Sequence, residues 1–124
     1  MQKKRPVNLN LFTIRFPATA IVSILHRCSG VILFGLIAFL LYALSLSLQS
    51  SEQFAEVQSL CHEPWIRFFV WVFLSSFVLH LLAGLRHFVM DFGFAEEKAS
   101  GRYGAYIVMI VSAVVIAGLG VYLW

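Results

Sequence analysis

Formal charge is scarce in this chain. Nine Lys or Arg and six Asp or Glu serve 124 residues, while 60% of the sequence is apolar. A water-soluble domain of this length needs far more polar surface to cover a core. The scarcity excludes that class and makes lipid the solvent of most side chains. The small positive balance of +3 does not signal nucleic acid, because the basic residues flank apolar runs and build no continuous basic face. Cysteine is sparse too. Cys28 opens the first apolar run and Cys61 lies in a loop beyond its far end. They lack metal-type spacing, and a disulfide between them is not expected, so both are read as structural thiols.

Other absences narrow the chemistry. There is no nucleophile elbow, no HExxH, no phosphate-binding glycine loop and no carboxylate pair inside an apolar run. Hydrolysis is therefore not expected, and no residue is assigned a catalytic role of that kind. Internal repeats and low-complexity tracts are missing. The start, MQKKRPVNLNLFTIRFPATA, lacks the short apolar core of a signal peptide, so the chain is expected to be unprocessed.

What is present is three long apolar runs, 21–48, 65–90 and 103–124. Each reaches the ~20 residues a helix needs to cross ~30 Å of hydrocarbon. Strands are excluded because a lone strand in lipid leaves its backbone unpaired, and no period-2 alternation marks a barrel. The expected fold is an all-α membrane protein of three transmembrane helices. A segment 1–20 precedes the first span, and a polar link 49–64, with room for a short surface helix, joins the first two. Pro64 suits an early position of the second helix. The link 91–102 reads as a loop. Lys3, Lys4, Arg5, Arg15, Arg27, Arg86, Lys98 and Arg102 fall on one side of the membrane and only Arg67 on the other. The positive-inside rule then makes the N-terminus cytoplasmic and 49–64 the outer loop.

Ionisable side chains in or beside a span default to functional candidates. His80 lies six residues inside Arg86, about 9 Å deeper along a helix. Its face carries Ser76, Gly84 and His87, and small residues there leave room for a flat bulky group or a close helix. A neutral imidazole is a good axial ligand for haem iron; a histidine hydrogen-bonded to a neighbouring helix is the plainer reading. Ser23 and Arg27, four residues apart, share a face at the start of the first helix. A hydroxyl and a fixed cation suit a quinone carbonyl and the negative charge that develops as the ring is reduced. The plainer reading is an arginine that snorkels to lipid phosphate. His26 points about 100° from Arg27, so the pair has reach for two acidic groups or is simply interfacial, as His87 is. The third run, with Gly118 and Gly120 as a close-packing point, reads as scaffold.

Two motifs carry a resemblance over essentially the whole chain. Arg5-Pro6-Val7-Asn8-Leu9 with the segment Arg15 to Gly30 (RFPATAIVSILHRCSG) is the first. His80-Leu81-Leu82-Ala83-Gly84-Leu85-Arg86-His87 followed by Asp91-Phe92-Gly93 is the second. Together they resemble the large cytochrome b membrane anchor of bacterial succinate dehydrogenase. The resemblance implies a bundle shared with a second, small cytochrome b anchor subunit in the bacterial inner membrane. It implies an iron–sulfur subunit and a flavoprotein on the cytoplasmic side, and no nucleic acid. The expected cofactor is haem b, with His80 as axial ligand and the other ligand from the small anchor. His26, Arg27 and His87 match positions near the haem propionates; Ser23 and Arg27 match the site of ubiquinone, the substrate. The chain itself carries no flavin or iron–sulfur motif, so succinate oxidation belongs to partners. A fumarate reductase anchor and a cofactor-free structural anchor are the alternatives.

Overall fold

The computed structural model describes residue 10 and residues 12–94 and 97–124. The motif Arg5–Leu9, Lys3, Lys4 and Glu96 lie outside the described residues. Four helices follow in order: α1 (Ala18–Ser47), α2 (Ser51–Leu60), α3 (Pro64–Asp91) and α4 (Lys98–Leu123). Three of them, α1, α3 and α4, are long and apolar enough to cross a membrane. At 30, 28 and 26 residues they span about 39–45 Å at 1.5 Å per residue. That exceeds the hydrocarbon thickness, so each continues into the interface or tilts.

The helix ends follow from local chemistry. α1 begins at Ala18, not Ile21, behind Pro17 in an extended conformation. The ring has no N–H to leave unpaired there. The short α2 is opened by Ser50, whose hydroxyl accepts from the Gln53 N–H at 3.1 Å, and Glu52 sits in its positive first turn. Pro64 is the first residue of α3. The far end of α3 closes on Gly93, at φ +80°. The Gly93 N–H donates to the Met90 carbonyl and the Phe94 N–H to the Val89 carbonyl. This paired pattern is the Schellman motif, and it demands a left-handed residue at Gly93.

The link between α3 and α4 is shorter than hydropathy suggests. The expected loop 91–102 gives way to helix at Lys98. Backbone hydrogen bonding runs ahead of the apolar run by more than one turn, since polar residues such as Ser100 and Arg102 satisfy helix geometry as well as apolar ones do.

α3 is the central element and packs against both α1 and α4; α1 and α4 touch less. The core seam is made of small residues. Ala18, Val22, Ala83, Ala105 and Val108 are buried, with Leu82 and Met109 packed on them, and Ser29, Ser76 and Ser112 are buried beside them. Small residues let helix backbones approach where no hydrophobic force drives association. Two hydrogen bonds tie α3 to α4. The Trp71 indole N–H donates to the Ile116 carbonyl at 3.1 Å. Arg86 donates from Nη2 to the Gly101 carbonyl at 3.0 Å. Gly120 permits the first: a Cβ there would lie 3.4 Å from Trp71 Nε1, whereas Gly118 faces open space.

Candidate functional site

The histidines of α1 and α3 come together at the polar end of the bundle. The His26 ring stacks on His80 with centroids 4.1 Å apart and planes 28° from parallel. The His87 ring lies 5.3 Å from that of His26, tilted by 40°. Two glycines allow this. A Cβ on Gly30 of α1 would meet His80 Cε1 at 3.1 Å, and one on Gly84 of α3 would meet His26 Nε2 at 3.5 Å. Each helix thus receives the other's imidazole where it has no side chain. The small residues around His80 admit the neighbouring helix, which is one of the two uses the sequence left open.

His80 is held by one nitrogen. Its Nδ1 lies 3.0 Å from the His26 carbonyl oxygen and 3.1 Å from Ser29 Oγ. A peptide carbonyl only accepts, so Nδ1 carries the hydrogen and donates it. The tautomer follows: the Nε2 lone pair is the one left over. The stacked His26 ring covers a face of the imidazole, while the lone pair lies in the ring plane, so stacking does not block it. A metal-binding histidine commonly has this arrangement, with one nitrogen donating to a backbone carbonyl and the other left to ligate. Among the described residues no three His, Cys, Asp or Glu side chains are grouped to hold a bare ion. The free Nε2 of His80 would fit a metal whose other ligands come from elsewhere, such as a porphyrin.

Ser23 and Arg27 sit one turn apart on α1 but do not join the histidine stack. Ser23 is half-buried and Arg27 exposed. Neither side chain has a hydrogen-bond or ion-pair partner among the described residues. His26 and Arg27 diverge, His26 inward against α3 and Arg27 outward. A cleft of about 590 Å³, with charged and apolar walls, opens between the start of α1, the end of α3 and the start of α4. Pro17, Arg86, His87, Met90, Glu97 and Arg102 are among its walls. It includes His87 but neither Ser23 nor His80. A second cleft, about 250 Å³, lies at the other end under α2, walled by Phe39, Tyr42, Leu60 and Phe73 among others. It is almost wholly apolar and has no group to orient a reacting ligand. Both cysteines are free and exposed, Cys61 at the rim of that apolar cleft.

Two contributors had no role in the sequence reading. Ser29 stands inside the quoted first motif, and Arg86 was read only as part of the basic edge. Arg86 in fact lies along α4, its Nε buried without a partner and 3.5 Å from where a Gly104 Cβ would be.

A three-span helical subunit with histidines, a serine and arginines gathered at one end is the class these features define. Residues 1–120 match the family model described as succinate dehydrogenase/fumarate reductase transmembrane subunit. The chain is 45% identical over 125 residues, covering both proteins in full, to the succinate dehydrogenase cytochrome b556 subunit of Coxiella burnetii. It is 28% identical over 109 residues to the subunit of the same name from Rickettsia prowazekii, covering 88% of this chain and 85% of the relative. The chain belongs to the succinate dehydrogenase/fumarate reductase transmembrane subunit family. It is a multi-pass bacterial membrane protein and a cytochrome b-type subunit of that complex.

Proposed function

We propose that the chain is the large anchor of a succinate dehydrogenase that binds haem b and helps form the ubiquinone-reduction site. The observation that carries the haem reading is the His80 Nδ1–H bond to the His26 carbonyl, which reserves Nε2 for iron. Haem b supplies one-electron redox chemistry when bound. The chain's own residues do the rest. His80 holds the iron. His26, Arg27 and His87 offer cationic or hydrogen-bonding groups to the propionates. Ser23 donates a hydrogen bond to a quinone carbonyl, and Arg27 orients the quinone and stabilises its developing negative charge. Among the described residues neither side chain has a partner, which leaves both available for that role.

In this reading the N-terminus is cytoplasmic, because eight of nine basic residues then lie inside. A small anchor subunit would supply the other iron ligand and share the bundle. An iron–sulfur subunit and a flavoprotein dock on the cytoplasmic side, and electrons from succinate pass through their centres to ubiquinone, coupling the tricarboxylic acid cycle to respiration. The relatives' names favour succinate oxidation over fumarate reduction as the net direction.

The test uses the purified complex. His80→Ala should lose the b-type Soret band while the subunits remain assembled; an unchanged haem spectrum overturns the ligand assignment. Ser23→Ala and Arg27→Leu should lose quinone reduction, on the order of 10²-fold or more if a charge-stabilising donor is removed, while an artificial acceptor at the flavin is still reduced. Quinone reduction at normal affinity in both variants removes them from the site.

A further inference from the structure

We propose that Ser29 is a positioning residue for His80: with the His26 carbonyl it grips the imidazole N–H and sets the plane of the ring. The proposal rests on the reading of His80 as the iron ligand.

Three atoms form a closed triangle. Ser29 Oγ donates to the His26 carbonyl at 2.8 Å. His80 Nδ1 lies 3.0 Å from that carbonyl and 3.1 Å from Ser29 Oγ. Within α1 that carbonyl also accepts the helical Gly30 N–H, so the serine and imidazole hydrogens share its remaining lone pair, and the Ser29 oxygen takes a second share of the imidazole hydrogen. A serine bonded to the carbonyl three residues back is common here. Ser45, Ser47, Ser59 and Ser100 do the same, all in exposed settings. Ser29 differs in two respects. It is only 4% exposed, and its oxygen also meets a ring from another helix.

One acceptor would leave the ring free to pivot about a single bond. Two acceptors on adjacent turns of α1 restrict that rotation. The next residue, Gly30, clears the space the ring occupies. Hydrocarbon around a spanning helix offers no replacement for either bond, so an unpaired imidazole N–H would be costly there. Acceptors on Nδ1–H also make the opposite nitrogen a stronger donor to a metal, which favours the ferric over the ferrous state.

The test uses Ser29→Ala, Ser29→Thr and Ser29→Cys in the assembled complex. Ser29→Ala should keep haem stoichiometry but raise the haem midpoint potential. A tenfold loss of ferric preference, the lower end of outer-shell effects, corresponds to about 59 mV for one electron. The low-spin ferric EPR signal, which responds to ligand-plane orientation, should shift with it. Ser29→Thr keeps the hydroxyl and should restore both. If Ser29→Ala does not assemble, Ser29→Cys, a weak acceptor of similar size, takes its place with the same expectation. A wild-type potential and EPR signal in the assembled Ala or Cys variant overturns the proposal. Retention of the Soret band in His80→Ala overturns the ligand reading instead, so the two failures are separable.

Discussion

Gly30→Ala separates the stability of α1 from the placement of His80. The added Cβ would lie 3.1 Å from His80 Cε1 and 3.5 Å from Nδ1. Carbon atoms rest comfortably at about 3.5–4.0 Å, so the ring must retreat by roughly 0.4–0.9 Å. The bonds from Nδ1, at 3.0 and 3.1 Å, then stretch toward about 3.5 Å, where a hydrogen bond is largely lost. Losing both costs about 1–3 kcal/mol. Alanine in place of glycine returns about 0.8–1.0 kcal/mol of helix propensity. Net stability should therefore fall by no more than about 2 kcal/mol, while the properties that depend on His80 change. The assays are haem content by pyridine haemochrome, the haem midpoint potential and thermal unfolding of the complex. Gly30→Val should show a larger effect. Gly35, on the same helix, faces nothing within 4 Å, so Gly35→Ala is the control: haem content and potential should stay unchanged, and thermal stability should rise by the propensity gain alone. If Gly30→Ala and Gly30→Val match the wild type in haem content and potential, the interhelical contact is not what seats the ring.

Two further expectations concern the scaffold. Gly93→Ala adds a Cβ that meets nothing, so its cost is purely the left-handed backbone, about 1–2 kcal/mol; thermal stability of the complex should fall, and Gly93→Asn should recover part of it. An unchanged Tm in Gly93→Ala would argue against the Schellman closure of α3. Trp71→Phe removes the indole N–H from Ile116 and should cost about 0.6 kcal/mol, the average for interhelical bonds in lipid. Gly120→Leu should cost more by pushing the indole away, and equal resistance of both variants to detergent unfolding would show that the bond is incidental.

The spans were legible because apolar run length is nearly all a bilayer demands. The helix ends were not. Hydropathy falls at Arg102 and rises at Tyr103, yet the backbone has turned helical by Lys98, since interfacial polar residues satisfy helix geometry without an apolar signature. The candidate histidines were legible one by one: His80 as an ionisable group deep in a span, His26 and His87 as ionisable groups at its edge. Their stacking was not, because it depends on Gly30 and Gly84 on different helices facing each other's histidine. Ser29 was invisible for another reason. A serine in an apolar helix bonds to its own backbone by default, and only a neighbour from another helix gives its oxygen a second task.

The two α3–α4 bonds, at Trp71 and Arg86, lie about 23 Å apart along α3. They pin a hairpin near each end through carbonyls that helix bonding leaves half used. Among the described residues α1 has no such pins; its polar attachment to α3 is the grip on His80 alone. The α3–α4 pair is thus pinned by hydrogen bonds, while α1 is held on α3 by packing and by the polar grip on the residue that is proposed to meet iron. Loading of that position is therefore expected to steady the polar half of the first span. In hydrogen exchange, slower exchange of the polar half of α1 on haem loading, with α3 and α4 little altered, would be the trace of that coupling.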